Sequence, residues 1–420
     1  MRRVWSEVRW AASKRPSQVR VLERESIPSE EDSLLLLDGG RWLLAMFDRD
    51  DDWGCVYPYD LDEKGRSPHC IIDLGTDNCR GPHWMMAADL VVGSHDQSSL
   101  EFNLCLTPYY PSLAPELSDN LDWPARSVHF YRLIVVGNSQ NSDLEAHKIK
   151  SLHDLRPPSS EMLLYHFVLR GDYLVRSLDL PDETGEGVFY RLEVYNWVLS
   201  NDSEHYSAHI NGNQPEDYDA EPVLIPAAKM ICFLPNDISV YDLSKLQPNP
   251  IDAAQIPILK PYWSFTGLTF TMQSHLSRAC CEPFASRVTA ILDDSVVGFT
   301  IPHDIHQHPS YRQLSECTFP DELFYCMGIS KIYYYVDPVE GGHGSVKTIG
   351  LSWDEAEADS RVSGRFLDLP VERLSRRRFE RPLRPWDSDI PPLFDESSNR
   401  ILTFSKKYWL LLDFNAPNRE

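Results

Sequence analysis

The chain has 420 residues, of which 42% are hydrophobic, and a formal net charge of −23. This length allows a large buried core, and the apolar and aromatic content excludes a wholly disordered chain. The acidic balance excludes a nucleic-acid partner, because phosphate contacts require clustered Lys and Arg. Thirty-one prolines and twenty glycines disfavour long helices and favour many short strands.

The first meander lies between residues 34 and 61. An apolar strand at 34–37 is followed by the turn Asp38-Gly39-Gly40, a second strand at 41–47 and a third at 55–61. Glycine suits this turn because it accepts positive φ at little steric cost. The second strand is apolar on both of its faces, so we expect it to be covered on both, inside a stack of sheets.

Comparable strands separated by turn residues recur down the chain. We predict them at 84–94, 100–106, 128–136, 162–169, 173–180, 188–198, 229–234, 238–243, 263–272, 287–292, 295–301, 331–336, 345–351, 365–367, 399–403 and 408–414. The prolines of 108–124 predict a long loop, and the polar segment 201–221 predicts an exposed loop.

The strand pairs end near residues 61, 106, 198, 243, 301, 351 and 414, mostly about 45 to 60 residues apart. This period is typical of a β-propeller, in which no single sheet can bury both faces alone. We therefore predict an all-β chain: a single-domain β-propeller of about seven four-stranded blades at 33–415. Residues 1–32 form a charged N-terminal segment outside it. Two stacked β-sandwich domains are the alternative.

Signals for targeting, membranes and cysteine chemistry are weak. Neither the basic N-terminus nor any later run has the apolar length of a signal peptide or a membrane span. The nine cysteines include no CxxC pair, so buried thiols are expected instead of a disulfide framework or a zinc site. We expect a soluble intracellular protein, cytoplasmic or nuclear, without membrane contact.

Three aspartates, Asp48, Asp50 and Asp52, have the alternate spacing of a calcium loop. Trp53, however, stands where such a loop needs glycine, and Tyr59 stands where it needs a bidentate Glu. The segment is therefore interpreted as an acidic hairpin loop.

Three histidines, His303, His306 and His308, cluster after a predicted strand beside Asp304. They lack the helical frame or second motif of a zinc site. The glycine-rich segment 341–344 lacks the Lys and the spacing of a phosphate loop and is predicted to be a turn. No nucleophile, metalloprotease or nucleotide motif is present. We expect no catalytic, cofactor or metal site, and hence no enzyme.

One basic stretch interrupts the acidic chain. Residues 361–384 contain eight arginines against Asp368, Glu372 and Glu380. A solvated loop or outer strand is the simpler interpretation, and a docking patch for an acidic partner is the alternative.

Short segments near the two ends of the predicted propeller resemble a known protein family. Residues 37–44 (LDGGRWLL), followed by 56–61 (VYPYDL), and the C-terminal residues 394–401 (FDESSNRI) resemble the opening and closing blades of F-box proteins of mushroom-forming fungi. Asp38 stands where that family has proline, and Asn399 stands where it has glycine.

The resemblance implies a WD-repeat-like propeller that selects substrates for a cullin ubiquitin ligase. This chain begins where the family's F-box, which docks the ligase adaptor, would already have ended, so the adaptor-docking part is expected to be missing, truncated or lost. The F-box-like starts at 320–324 and 369–374 do not continue into apolar helices and are interpreted as coincidences. The expected partners are proteins, basic ones in view of the acidic charge, and a cullin-ligase adaptor. The alternatives are a carbohydrate-binding or glycosidase propeller with two axial carboxylates, and a degenerate family member without a ligase role.

Overall fold

The structure is a computed structural model and describes most of the chain. The described residues are 18–23, 33–47, 54–63, 68–74, 83–91, 100–109, 127–138, 141–153, 163–181, 188–213, 221–234, 237–251, 256–266, 276–277, 279–292, 295–316, 325–336, 345–351, 353, 365–367, 392–404 and 408–414.

The described strands form seven antiparallel sheets, here called blades, with strands numbered in chain order. Blade 1 is β2 (Ser33–Leu36), β3 (Trp42–Met46), β4 (Cys55–Asp60) and β5 (Ile72–Asp73). Blade 2 is β6 (His83–Leu90), β7 (Glu101–Tyr109), β8 (Val128–Asn138) and β9 (Asn141–Leu152). Blade 3 is β10 (Leu163–Arg170), β11 (Tyr173–Pro181), β12 (Val188–Asn196), β13 (Glu204–Asn213) and β17 (Gln247–Pro250). Blade 4 is β14 (Glu221–Ile225), β15 (Lys229–Phe233), β16 (Asp237–Asp242) and β18 (Trp263–Thr266).

Blade 5 is β19 (Cys280–Cys281), β20 (Ala285–Leu292), β21 (Ser295–Pro302) and β22 (Ser310–Glu316). Blade 6 is β23 (Tyr325–Met327), β24 (Lys331–Val336), β25 (Ser345–Gly350) and β26 (Arg365–Leu367). Blade 7 is β27 (Leu393–Asp395), β28 (Arg400–Phe404), β29 (Tyr408–Asp413) and β1 (Gln18–Glu23). The described residues also include a single-turn 3-10 helix, Leu243–Lys245. They include no helix long and apolar enough to cross a membrane.

The first strands of successive blades lie next to one another, which arranges the blades around an axis. Contacts join β2 to β6, β6 to β10, β10 to β14, β23 to β27, and β27 back to β2. The fold is therefore an all-β propeller, as predicted. The predicted number of four-stranded blades is slightly off: six described blades have four strands, and blade 3 gains a fifth, β17.

The N-terminal segment contributes the outermost strand of blade 7. β1 runs antiparallel to β29, from Gln18 opposite Asp413 to Glu23 opposite Tyr408. Pairing the start of the chain with its last strand closes the ring, because blade 7 is otherwise built from the C-terminus alone. The boundary predicted at residue 33 is corrected accordingly, since a strand within 1–32 belongs to the propeller.

The core lies between the blades. Every side chain of β3 is buried, and so is every side chain of β15. The two faces of a blade pack against different neighbours: Leu44 lies in a cluster with Leu104 of blade 2, while Leu43 lies in a cluster with Leu411 of blade 7. Covered on both faces, the middle strands contain continuous apolar runs instead of an alternating pattern.

A repeated corner explains why several third strands end in similar residues. After Asp60, Asn196, Asp242 or Asp413, a buried apolar residue donates its backbone N–H to the turn between the first two strands of the same blade. These bonds are Leu61 to Arg41, Trp197 to Asp172, Leu243 to Ala228 and Phe414 to Asn399, at 2.7–3.1 Å, and Leu351 makes the equivalent bond to Ser330 at 2.8 Å.

The corner side chains pack against the preceding blade. Trp197 of blade 3 stacks on Phe130 of blade 2 with ring centroids 4.6 Å apart. Phe414 of blade 7 lies 4.9 Å from the ring of Tyr333 of blade 6. Each corner thus ties the end of one blade to the face of its neighbour. The residues that recur at the ends of the third strands are therefore those that pack one blade against the next.

Polar bonds also cross the junctions between blades. Between blades 2 and 3, Lys150 donates to the carbonyl of Ser200 at 2.8 Å. Between blades 4 and 5, the buried Lys229 donates to the carbonyls of Pro302 and His303, both at 2.7 Å. A lysine buried in this way requires such acceptors, because an unpaired ammonium in the core would be costly.

Two polar segments that follow third strands form strands in the structure, although neither was predicted to be a strand. Residues 204–213, inside the predicted loop 201–221, form β13, and β9 occupies 141–152, where no strand was predicted. Both lie on the outside of their blades, where one face is solvated and a polar sequence is tolerated. Beyond β13, the strand β17 carries Pro248 and Pro250, which cannot donate ladder hydrogen bonds and so protect the sheet edge.

His129 in β8 gives a pH-dependent prediction. Burial, followed by the nearby charges of Lys148 and His153, lowers its pKa from 6.5 to about 4, while Nδ1 shares a hydrogen bond with Ser151 at 2.8 Å. The folded state disfavours the protonated form of His129, so the free energy of unfolding is highest above the unfolded-state pKa of 6.5. It declines as the pH falls from 6.5 towards 4, because the unfolded chain then binds a proton that the folded chain does not. Unfolding free energies between pH 7.5 and 4.5 should fall less steeply in His129→Gln than in the unmodified chain. Parallel profiles would contradict this.

Candidate functional site

An open cavity of 1320 Å³ lies on the axis of the propeller. Among the described residues, its lining belongs to six blades, 1, 2, 3, 4, 5 and 7, and most of it comes from their first strands or the turns after them. The cavity extends to the face that carries the turns between first and second strands and between third and fourth strands of each blade. We call this the AB face. Within the part of the chain that the structure describes, the axis is therefore open at this face.

Two of the arginines that line the cavity are neutralised by carboxylates. Arg41 donates to Asp60, with the closest contact at 2.5 Å. Arg400 donates to Asp413 at 3.1 Å and to Asp62 at 2.8 Å, which joins blade 7 to blade 1. The resulting raised pKa of Arg400, despite the cost of its burial, follows from these two carboxylates. Arg400 therefore ties blade 7 to blade 1, whereas Arg41 is paired within blade 1, and both carry little uncompensated charge.

Two further carboxylates accept backbone N–H groups from neighbouring blades. Asp395 accepts from Gly39 at 3.2 Å across the junction of blades 7 and 1. Glu396 accepts from the N–H groups of Ile329 and Ser330 at 2.7 and 2.9 Å, across the junction of blades 6 and 7. The cavity wall here is a set of fixed, hydrogen-bonded anions.

Asp38, Asp89 and Glu221 complete the acidic lining from blades 1, 2 and 4. Asp89 accepts the N–H of Gly171 at 2.7 Å. Burial raises the pKa of Asp89, and the Gly171 bond and the Arg170 charge only partly offset this. The cavity thus contains a half-buried carboxyl group that would gain from a nearby cation.

Arg170 is the remaining cation of the lining, and it bridges three blades. Its guanidinium donates to the carbonyls of Leu224 and Ala279 at 3.2 and 3.4 Å and to the Cys281 sulfur at 2.6 Å. Burial raises the pKa of the Cys281 thiol even though Arg170 favours the thiolate. In all, seven carboxyl groups and three guanidinium groups belong to the described lining, which leaves it acidic.

Exposed apolar side chains also lie on turns of the AB face. They come from turns of blades 2, 3 and 5 and are Leu100, Val198, Leu199, Phe284 and Ile305, exposed by 43, 47, 54, 85 and 43%. We call these five residues the apolar rim. Exposed apolar groups sharing one face with an acidic opening are typical of a protein-binding surface.

The histidine cluster does not assemble into a metal centre. His303 shares a hydrogen bond with Ser286 at 3.0 Å, while His306 and His308 are exposed on the same turn. Among the described residues, no three His, Cys, Asp or Glu side chains converge as metal ligands would. The predicted acidic loop of Asp48, Asp50 and Asp52, the glycine segment 341–344, and all of 361–384 except β26 lie outside the described residues.

The sequence did not identify the acidic residues of the cavity. Asp38 was interpreted as part of a turn, Asp89 as part of the strand 84–94, and Glu221 as the end of a loop. All three residues lie on, or just after, the first strand of a blade. This shared position can be recognised only once the strands have been assigned to the correct blades. Spacing along the chain carries no such information, because these residues are more than fifty positions apart.

No protein-family model and no curated protein matches this chain. Among solved structures it is similar to the WD40 domain of SCAP from fission yeast, with 9% identity, a TM-score of 0.43, and coverage of 91% of this chain and 81% of that chain. It is also similar to a Trypanosoma rangeli sialidase in complex with sialic acid, with 11% identity, a TM-score of 0.35, and coverage of 81 and 56%. A chain of the mitotic checkpoint complex matches with 10% identity, a TM-score of 0.31, and coverage of 82 and 96%. At these identities and TM-scores the likenesses carry no argument about what this chain binds.

Proposed function

We propose that this chain is a protein-interaction module that binds its partner through the AB face and performs no bond-making chemistry. The observation that supports this most is the acidic axial cavity together with the apolar rim on turns of the same face. A rim of exposed apolar groups supplies contact area, and the acidic centre supplies charge complementarity. The partner is accordingly a protein with a basic surface.

The more specific role is substrate recognition for a cullin ubiquitin ligase inside the cell. Its support is the resemblance of residues 37–44, 56–61 and 394–401 to fungal F-box propellers. In the folded chain these residues meet at the junction of blades 7 and 1, where Asp395 binds the Gly39 N–H. These segments therefore have a structural role in closing the ring. The ligase role is tested by the partners that the chain binds in the cell.

The test uses rim variants with a matched control. Tagged chain is purified gently from a eukaryotic cell after mild cross-linking, and partners are identified by mass spectrometry for the unmodified chain, Leu199→Asp/Phe284→Asp, and Ile149→Asp. Ile149 is 42% exposed on the outer strand β9, and its neighbour Lys150 donates to the carbonyls of Val198 and Ser200, so this variant places a charge beside the apolar rim without altering a rim side chain. We expect partners to be lost at least tenfold from the rim variant and retained by the control.

The identity of the recovered partners distinguishes a ligase substrate receptor from a binding propeller without a ligase role. A cullin adaptor among the rim-dependent partners supports the ligase role, and specific partners without the adaptor leave a binding propeller. Equal recovery from rim variant and control would contradict binding through the AB face.

A glycosidase or sugar-binding function is the second candidate, because the axis is open and Asp89 is a half-buried carboxyl group with a raised pKa. We expect no turnover of a panel of aryl glycosides. Turnover that disappears in Asp89→Asn would replace the interaction proposal with an enzyme.

A further inference from the structure

A second cavity, here called the outer pocket, lies on the outer side of blades 3 and 4. It has a volume of 370 Å³ and is bordered by β13, by the end of the 3-10 helix and the start of β17, and by the segment 257–262 that leads into β18. This volume is within the usual range for small-molecule sites. We propose that the outer pocket binds a small organic acid, with its carboxylate held by Lys245 and Lys260 and its apolar part held by the wall between them.

The segment that leads into β18 is fixed to both blades by its backbone. His209 of β13 donates its N–H to the carbonyl of Pro257, and its own carbonyl accepts the N–H of Leu259, both at 2.8 Å. At the other end of the segment, Tyr262 donates its N–H to the carbonyl of Val240 in blade 4 at 3.0 Å. The outer pocket is therefore preformed, and a ligand would bind without having to order this part of its wall.

Most of the wall of the outer pocket is apolar. Ala208, Leu246, Leu259 and Tyr262 contribute to it from β13, from the turn before β17 and from the segment before β18. Ile258 also lines the pocket but is 63% exposed, which places it at the opening. A ligand with an apolar body would cover this side chain, and removing apolar surface from water favours binding.

The charged side chains that line the outer pocket are lysines, although the whole chain has a net charge of −23. The described lining includes no Asp or Glu. Lys245 lies 3.4 Å from Asp242, but the Lys245 side chain is 60% exposed, so this ion pair is weak. Lys260 is exposed and makes no ion pair or hydrogen bond within the described part of the chain. Two ammonium groups on the wall of so small a cavity attract an anion.

A third lysine adds positive charge from behind the wall. The buried Lys229 ammonium lies 5.5 Å from the ring centroid of Tyr262, which lines the outer pocket. It donates to the carbonyls of Pro302 and His303, and among the described residues it forms no ion pair with a carboxylate. Burial lowers the pKa of Lys229, so an anion in the pocket would stabilise its charged form.

The test uses small probes that share one apolar body and differ in charge. Phenylacetate, phenylacetamide and phenethylamine are titrated against the full chain by ligand-observed NMR, with hexanoate as an aliphatic acid. We expect phenylacetate to bind with a dissociation constant of about 1 mM, as suits a ligand of this size. The neutral amide and the cationic amine should bind at least tenfold more weakly.

Charge variants at exposed positions show where the acid binds. Lys260→Gln should raise the dissociation constant of phenylacetate at least threefold, whereas Lys148→Gln, at an exposed position on β9, should change it less than twofold. Ile258→Glu and Ile258→Lys remove the same apolar group and differ only in charge. Ile258→Glu should therefore bind phenylacetate at least tenfold more weakly than Ile258→Lys.

Three results would each overturn the proposal: equal effects of Lys260→Gln and Lys148→Gln, equal affinities of the two Ile258 variants, or no saturable binding of phenylacetate or hexanoate. The outcome is separate from that of the proposed function. The rim variant Leu199→Asp/Phe284→Asp retains both lysines of the outer pocket and should bind phenylacetate with unchanged affinity, whether or not it loses its protein partners.

Discussion

Replacing Glu193 with Gln is expected to lower the free energy of unfolding by about 3–5 kcal/mol, because it leaves the Arg176 charge buried without its partner. The two side chains are 4 and 6% exposed and lie 2.5 Å apart between blades 2 and 3. Tyr195 donates to the same carboxylate at 3.0 Å, and His209 lies 3.6 Å from its other oxygen. Burial opposes both charges, but their attraction lowers the pKa of Glu193 and raises that of Arg176.

Urea unfolding followed by tryptophan fluorescence measures this loss. The double variant Arg176→Met/Glu193→Leu removes both charges and should recover most of the stability, since apolar replacement of a buried pair is often neutral. A matched, partly exposed pair is Arg132 and Glu101, 2.7 Å apart with side chains 32 and 19% exposed. Glu101→Gln should cost only about 0–1 kcal/mol. Similar losses in Glu193→Gln and Glu101→Gln would contradict the importance of the buried network.

Removing residues 1–24 is expected to destabilise the propeller more than most single substitutions, by about 4 kcal/mol or more, since each backbone hydrogen bond contributes about 0.5–1.5 kcal/mol. The deletion removes β1, which pairs with β29 along six residues. It also turns β29 into an edge strand, although Trp409, Leu410, Leu411 and Leu412 are buried there. An unprotected apolar edge favours aggregation.

The deletion is tested by thermal unfolding and by light scattering of the purified chain. Deletion of residues 1–15 retains β1 and serves as the control, with an expected stability close to that of the full chain. A synthetic peptide of residues 16–25 should raise the melting temperature of the longer deletion in a concentration-dependent way. An unchanged melting temperature after removal of residues 1–24 would show that the ring closes without β1.

The middle strands of the blades could be predicted because their environment leaves a local pattern. β3, β15 and β21 are covered by neighbouring blades on both sides, so their apolar runs and the turns beside them are visible in sequence. Outer strands such as β9 and β13 are half-solvated and polar, and inner strands such as β19 have two residues. Neither kind carries enough periodicity to distinguish it from a loop.

The repeated Tyr-Asp-Leu ending was visible at Asp60 and Asp242, but its cause was not. In the structure, Asp60 binds the Arg41 side chain, and Asp242 accepts the N–H of Ser244. Leu61 and Leu243 then pack between blades. A cross-strand partner and a neighbouring blade lie far away in sequence, so only the motif, and not its purpose, could be read from the chain.

The sequence by itself determined the all-β propeller, the approximate number of blades and the acidic character of the surface, because burial on both faces and turn chemistry act within about fifty residues. Tertiary structure alone decided the rest. It joined β1 to β29, added β17 to blade 3, and brought Asp38, Asp89 and Glu221 to one axial cavity. These depend on the ring being closed, which fixes distances between residues that no local pattern connects.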